Sequence, residues 1–370
     1  MKKVLKALKI IIVRNVYLYK KLIKDRQKII VIYNRNHPIY TSIFEHEELK
    51  RYKFVYINLN NKFSFLERMI FNKAEIIHAD GTASRVGPFP GKIVVVETEN
   101  RPTPFMLNDD SIKKIYLFSR AAAPDLVGTH PKVEVLYPAI RVRESAQPKV
   151  ADSNKIVLTS VGYGSIRKGY DVLFRIYETL KEKYPVHLVI AGSMGHDWAA
   201  FPEITKETYD RANFPEIEQK LKADPNAVMK IVRNQELLSS ILPAADIYIH
   251  LCRLESFGYS VLEAMNFGLP VVSTRQWAMP EIVANGVTGF LVNDFTDDIN
   301  SDAWFQKTYK EGLEAVTRLI EDVNLRKQMG MAGISRIKEV FDMEKKKTKL
   351  EADYDALLSH KKKDIGAKNN

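Results

Sequence analysis

The chain has 370 residues, 45% hydrophobic and 27% charged, an ordinary globular composition with length enough for two domains. Seventeen Gly and sixteen Pro are near average usage and exclude collagen-like and low-complexity classes. A single cysteine, Cys252, excludes an intramolecular disulfide and a zinc finger, and predicts an intracellular protein without a structural metal.

The net charge of +11 is unevenly spread. Residues 1–28 hold ten Lys or Arg against one acid, residues 336–370 hold ten against seven, and the body, 29–335, stands at −1. No broad cationic face is implied, so nucleic acid is not an expected partner. At the front, Leu5, Leu8, Ile12, Tyr19 and Leu22 recur at three- and four-residue spacings with lysines opposite. This predicts a basic amphipathic helix over 1–27, either lying in an anionic lipid interface or packed on the first domain with its lysines in water. The aliphatic run 10–13 ends at Arg14, far short of the roughly 20 apolar residues a spanning helix needs. No signal-peptide cleavage site follows it.

Beyond the front, short β-rich runs at 28–33, 54–57, 75–78, 92–97, 114–118 and 133–136 alternate with helical patterns at 63–71 and 120–127. Strands separated by helices predict a mostly parallel sheet covered on both faces. Residues 141–154 are polar and aperiodic, a linker. A second series follows, with strands at 155–161, 186–191, 228–232, 246–251, 271–273 and 289–292. Its helices are predicted at 170–183, 235–242, 260–267 and 280–284. Gly268 and Pro270 supply ordinary stop chemistry for the third of these. After residue 300 the pattern is helical throughout. The expected class is α/β, with two doubly wound Rossmann-like domains facing across a cleft and a helical C-terminal tail. The domains fall at 1–145 and 155–340, with 341–370 crossing back to the first. Ligands of open parallel sheets bind beyond the carboxyl ends of the strands, so the cleft is the expected site.

Two constellations carry chemistry. In the strand-to-helix segment 161–169 (VGYGSIRKG), Gly162 and Gly164 permit close backbone approach, and Arg167 and Lys168 add positive charge beside a helix start. A dinucleotide fingerprint would need Gly at Arg167, and no Walker lysine spacing is present. The turn reads as a phosphate loop or as a common structural turn. In the second, 255–265 (ESFGYSVLEAM), Glu255 precedes a helix and Glu263 lies inside it among apolar neighbours, with small Ser256 and Gly258 between them. A buried carboxylate needs a partner. Glu263 suits the hydroxyls of a ribose and Glu255 those of a sugar, or both acids pair with Arg253 or Arg275.

The E-x7-E spacing of Glu255 and Glu263 and the text ESFGYSVLEAMNFGLPVVSTRQWAMPEIVANGVTGFLV resemble family 4 retaining glycosyltransferases of the GT-B fold. The resemblance covers about 155–295 and is weaker over 1–150. It implies a C-terminal domain that holds a UDP-, GDP- or ADP-sugar and an N-terminal domain that holds a lipid-linked or saccharide acceptor, with no cofactor and no metal. Lys168 would contact the diphosphate, Glu263 the ribose and Glu255 the donor sugar. Backbone N–H groups near Ser256, Phe257 and Gly258 would cap the phosphates, and Arg233 and Asn234 would approach the base. Many relatives carry Arg where this chain has Tyr163, and Arg167 is expected to supply that charge. The implied activity is retaining, metal-independent hexosyl transfer, and the basic front adds the expectation that it works at the cytoplasmic membrane face. On the acceptor side, His78 and Asp80 end one strand, and Glu97, Glu99 and Arg101 follow another. Relatives often have a histidine near the second place, which is absent here.

Trp277 and Met279 are expected to line the donor pocket or to pack a helix start. His250 and Cys252 read as packing residues. Asp109-Asp110 and Asp297-Asp298 read as solvated turns. Two other functions fit parts of the sequence: a sugar-nucleotide epimerase of the same two-domain plan, and a non-catalytic protein that binds anionic surfaces through its front arm.

Overall fold

A computed structural model of the chain describes residues 29–34, 49, 51–57, 64–81, 89–143, 155–163, 166–193, 203–294 and 298–368. The basic helix expected over 1–27, Gly164, Asp297 and most of the 141–154 linker lie outside these residues. The chain divides into two units, one formed by Met1–Tyr137 with Glu344–Asn370 and the other by Pro138–Met343.

The first unit is built on β1 (Ile29–Asn34), β2 (Tyr52–Tyr56), β3 (Ile76–Asp80), β4 (Ile93–Thr98), β5 (Ile112–Leu117) and β6 (Val133–Val135). All pair in parallel, in the order β2-β1-β3-β4-β5-β6. Every residue of β3 and β4 is buried, as in a sheet covered on both faces. α1 (Phe65–Lys73) begins at a capping box in which Ser64 and Glu67 each accept from the other's backbone N–H. α2 (Pro104–Asn108) starts with proline in its first turn, where the missing N–H costs nothing. The helix expected at 120–127 shrinks to one 3₁₀ turn, Arg120–Ala122. Pro124 explains the loss, since it lacks an N–H and pushes Ala123 out of the helical region.

The second unit contains β7 (Ile156–Tyr163), α3 (Tyr170–Leu180), β8 (Val186–Ser193), α4 (Lys206–Ala212), α5 (Phe214–Ala223), β9 (Ala227–Lys230) and β10 (Ile247–His250). It continues through α6 (Tyr259–Asn266), β11 (Val271–Thr274), α7 (Met279–Ile282), β12 (Gly289–Val292), α8 (Asp302–Glu321) and α9 (Val323–Val340). An irregular helix with a π-turn at Leu237–Ile241 precedes β10. The strands are again parallel, in the order β12-β11-β10-β7-β8-β9. Sheet residues Leu158, Ile190 and Ile249 pack with Leu173 and Ile176 of α3 and Trp304 and Leu319 of α8. From β7 the chain moves outward through β8 to β9, then returns to the other side of β7 for β10, β11 and β12. The reversal between β7 and β10 leaves a crevice beyond their carboxyl ends, the place where doubly wound sheets bind ligands.

Residues 141–143 of the expected linker are fastened to the second unit. Asn266 donates to Arg141 O at 2.8 Å and accepts from Arg143 N at 3.2 Å, while the Arg143 guanidinium lies 3.7 Å from the Phe267 ring centre. α10 (Met343–Lys368) groups with the first unit from Glu344 onward and buries Leu350, Tyr354 and Leu358. Among the described residues no helix is long and apolar enough to cross a membrane.

Candidate active site

The two chemical constellations meet at the β7/β10 reversal. β7 runs buried to Ser160, then becomes exposed at Tyr163. The chain returns through Ile166, Arg167 and Lys168 to Gly169, whose φ of 69° starts α3. A Cβ at Gly169 would strike the carbonyl oxygen of Leu251 as well as strain the backbone, so this turn requires glycine. At Gly162 a Cβ would lie 2.6 Å from Lys168 Cε, so the missing side chain makes room for the lysine stem. Beyond β10, residues 251–258 run across this turn. Arg253 N donates to Arg167 O at 2.8 Å, and Arg167 Nη1 donates to Leu254 O at 3.1 Å.

Beneath both loops, Arg253 makes a bidentate pair with Asp171 at 2.8 and 2.7 Å and donates to Ile166 O and Ile299 O. Its guanidinium also stacks on Trp304, 4.4 Å from the ring centre. A fully buried Arg is tolerable because every side is met. The sequence left open whether Glu255 and Glu263 pair with Arg253 or Arg275; Arg253 pairs with neither acid.

Glu255 instead holds Lys168 in a direct ion pair and faces Arg167 Nη1 at 3.9 Å and His250 Nε2 at 3.4 Å. Burial alone would raise its carboxyl, but Lys168, the His250 hydrogen bond and Arg167 hold it well below the usual carboxylate range. His250 and Cys252, expected only to pack, belong to this polar cluster. Cys252 Sγ lies 3.1 Å from His250 Nε2 and 3.9 Å from Glu255 Oε2. Burial pushes the imidazole down, and Cys252 and Glu255 more than restore it, leaving His250 above its ordinary value. Their i, i+2 spacing at a strand end beside the glutamate was the available signal. The ligand atoms of His250, Cys252 and Glu255 lie within 4.8 Å of one another, close enough for a metal ion. Lys168 already occupies the same carboxylate, however, and Arg167 stands beside it, so two fixed cations oppose a divalent ion there.

Glu263 is the opposite case. It sits one turn into α6 beside buried Leu262 and Ala264, and its carboxylate has no hydrogen-bond or ion-pair partner among the described residues. Burial raises its carboxyl to about 7. Between the two acids, Phe257 turns its ring into the core against Tyr259 and Phe341, leaving only its backbone for a ligand. Ser256 is half-buried, and Gly258, at φ 96°, caps α6. Arg233 and Asn234 are exposed at the start of the irregular helix, one strand beyond β8. Trp277 is exposed on the turn after β11, and Met279 packs against Gly258.

The acceptor-side candidates lie in the first unit, and most are engaged. His78 and Glu97 are buried, with His78 Nε2 3.5 Å from Glu97 Oε2. α10 reaches both: Lys346 forms an ion pair with Glu97, and the Tyr354 hydroxyl lies 2.5 Å from His78 Nδ1. Burial would raise the Glu97 carboxyl, but Lys346 and then His78 lower it to about 2. These two residues therefore anchor the last helix rather than stand open to a ligand. Asp80 is also buried. Arg101 makes an exposed bidentate pair with Asp125, and half-buried Glu99 follows β4. Asp109 ends α2 and accepts from Ser111, while Asp298 accepts from Asn300 N, both ordinary turns.

The fold is a doubly wound α/β architecture whose paired loops lie beyond the carboxyl ends of β7 and β10. The sequence profile of the family described as "Glycosyl transferases group 1" matches residues 142–336, and the chain belongs to that family. A trehalose synthase from Pyrococcus horikoshii is 27% identical over 198 residues, 51% of this chain and 41% of that protein. Sucrose synthase 5 from Oryza sativa subsp. japonica is 28% identical over 227 residues, 58% of this chain and 25% of that protein. The chain thus matches well under half the length of these curated relatives. Among solved structures, a glycosyltransferase from Rickettsia africae superposes with a TM-score of 0.62 at 14% identity, covering 90% of this chain and 99% of that one. Anabaena Alr3699/HepE in complex with UDP gives 0.62 at 14% identity, covering 89% of this chain and all of that one. At these identities the structural likeness establishes the two-unit GT-B fold.

Proposed function

We propose that the second unit grips a nucleoside-diphosphate sugar beyond β7 and β10, and that the protein is a metal-independent, retaining hexosyltransferase of the family 4 type. The observation that carries this reading is the pairing of opposites at one sheet reversal. A lysine and an arginine stand on a glycine turn, and a half-buried acid without a partner among the described residues lies in the adjoining helix.

Lys168 and Arg167 meet the diphosphate, and the backbone N–H groups of 256–258 cap it. Glu263 accepts from the two ribose hydroxyls, which restores the hydrogen bonds its burial removed. Glu255 is turned toward the transferred sugar. In the reaction the bond from the anomeric carbon to the diphosphate oxygen breaks, and a bond from the same carbon to an acceptor hydroxyl oxygen forms on the same face. The acceptor proton passes to the departing phosphate oxygen. Charge develops on that oxygen, where fixed cations stabilise it without reorganising. The UDP complex named for the Anabaena protein supports the donor class. The basic stretch 1–28 supports a lipid-linked or saccharide acceptor at an anionic membrane surface on the cytoplasmic side.

The experiment is donor binding and sugar transfer, or slow donor hydrolysis, across a panel of nucleotide sugars with wild-type protein and Glu263→Ala. Binding of one donor by wild type, with transfer abolished in the variant, is the expected result. Undiminished activity in the variant refutes the site.

A further inference from the structure

Residues 275–278, between β11 and α7, lie on the same carboxyl edge of the sheet as the Glu255 loop, one strand over. This turn is held on a rigid frame. Thr274 Oγ1 donates to Cys252 O at 2.7 Å and Ser273 Oγ to His250 O at 3.0 Å, tying β11 to the end of β10. From α9, Arg336 donates to Ile282 O at 2.7 Å and Glu281 O at 2.6 Å, which pins α7. Met279 fills the space beside Gly258, where a Cβ would lie 2.6 Å from its Cε.

On that frame two adjacent residues are in costly states. Trp277 has φ 44°, in the left-handed region that bulky residues avoid, and its side chain is 48% exposed. Gln276 is 1% exposed, and neither amide atom has a hydrogen-bond partner among the described residues. Full burial does not offset the backbone cost at Trp277, since about half of the residue stays exposed. Strain that a rigid surround maintains is characteristic of positions where the placement of a side chain matters to a ligand.

We propose that Trp277 is a specificity-determining residue whose indole face carries the pyranose ring of a substrate bound beside Glu255. The inference rests on the reading of the second unit as a nucleotide-sugar site. A pyranose has one face rich in C–H groups, which matches a flat apolar indole, and hydroxyls at its rim that the indole N–H can meet. Glu255, on the loop that follows the neighbouring strand, takes hydroxyls while Trp277 takes the apolar face, so the two side chains together discriminate ring shape. The ring is that of the donor sugar or of a saccharide acceptor, and the test separates them.

Trp277→Gly relieves the backbone and removes the ring, and Trp277→Phe restores a ring. Calorimetry with the nucleoside diphosphate alone and with the nucleotide sugar isolates the donor ring, and the steady-state KM for a saccharide acceptor isolates the acceptor ring. The expected result is nucleoside-diphosphate affinity within about twofold of wild type in Trp277→Gly, with about tenfold weaker binding of one ring-bearing substrate and recovery to within about threefold in Trp277→Phe. A loss confined to nucleotide-sugar affinity assigns the donor ring, and one confined to acceptor KM assigns the acceptor ring. Ring-dependent readouts unchanged in Trp277→Gly overturn the proposal, as does an equal loss for the nucleoside diphosphate, which signals a displaced loop. Wild-type protein that binds no nucleoside diphosphate at all overturns the underlying donor reading instead, and this proposal with it.

Discussion

Glu263 offers a pH dependence that a generic binding site would lack. Burial lifts its carboxyl from 4.5 to about 7 in the free protein. Two ribose hydroxyls donating to the carboxylate favour its charged form and return the group toward 4.5 in the complex. Binding and deprotonation are then linked. Donor affinity is constant above pH 7 and falls about tenfold for each pH unit below it, down to about 4.5. At 1.36 kcal/mol per pH unit the whole gap is about 3 kcal/mol, an upper bound because the hydroxyls need not restore the ordinary value completely. Calorimetric titration at pH 6 and pH 8 is the direct assay, and about a tenfold difference in Kd is expected. The ligand should be a nucleotide sugar, whose diphosphate diester does not itself titrate in this range. The stability sign is opposite to that of a salt-bridged acid. A carboxyl whose folded value is raised binds more protons folded than unfolded, so it lowers stability as pH rises from 4.5 through 7. Glu263→Gln therefore melts higher than wild type at pH 8 while binding donor more weakly and without the pH slope. A wild-type profile that is flat between pH 6 and 8, or a slope that survives in Glu263→Gln, refutes the assignment.

Two further outcomes concern the frame around the sites. Lys346→Met leaves Glu97 buried beside His78 without its cation and is expected to cost about 3–5 kcal/mol, read as a lower Tm of the first unit. Because Lys346 and His78 lower Glu97 to about 2, this stabilisation is complete above pH 4.5 and is lost as pH falls toward 2. Acid-unfolding curves of wild type should show that loss, and Glu97→Gln with Lys346→Met should flatten it. Gly169→Ala forces a side chain into the Leu251 carbonyl at φ 69°, so the turn carrying Lys168 must shift. Donor affinity measured by calorimetry should fall at least about tenfold, with the sheet's far-UV circular dichroism unchanged.

The sequence made the strands legible because a parallel sheet buried on both faces spells them as short apolar runs, such as IVVVE in β4 and IVLTSV in β7. The stop after α6 was equally plain, since Gly268 takes φ 73° there and Pro270 follows. Helices α4 and α5 went unassigned although Phe214, Ile217 and Leu221 bury one side of α5 at helical spacing. Their remaining surface is so polar that the apolar stripe is only three residues long. Both glutamates of the candidate site were legible from their spacing and from the resemblance. Their partners were only partly so: Lys168 stands 87 residues from Glu255, and the pair forms only because β7 and β10 are neighbours. Lys346 meets Glu97 across 249 residues, a contact that exists only once α10 has joined the first sheet. No local pattern encodes it, which is why His78 and Glu97 read as open strand-end residues when their polar atoms face α10.

The two acids of the second unit illustrate how one helix start produces opposite charge states from the same residue type. Glu255 lies in the loop that crosses the 166–169 turn, so Lys168 and Arg167 fall within its reach and hold its proton affinity low. Glu263 lies eight residues on, past Gly258 and inside α6, where buried neighbours remove water and no cation among the described residues pairs with it. Neither charge is optimal without a ligand. Lys168 neutralises an acid when its proposed partner is a diphosphate, and Glu263 holds a proton near neutral pH when its proposed partners are hydroxyl donors. The proposed nucleotide sugar would answer both at once, with phosphate oxygens sharing the lysine and ribose hydroxyls taking the place of the proton. Titratable groups whose surroundings push them apart in this way mark sites with divided roles. The division here matches the chemistry of the proposed ligand, anionic in the middle and hydroxylated toward either end.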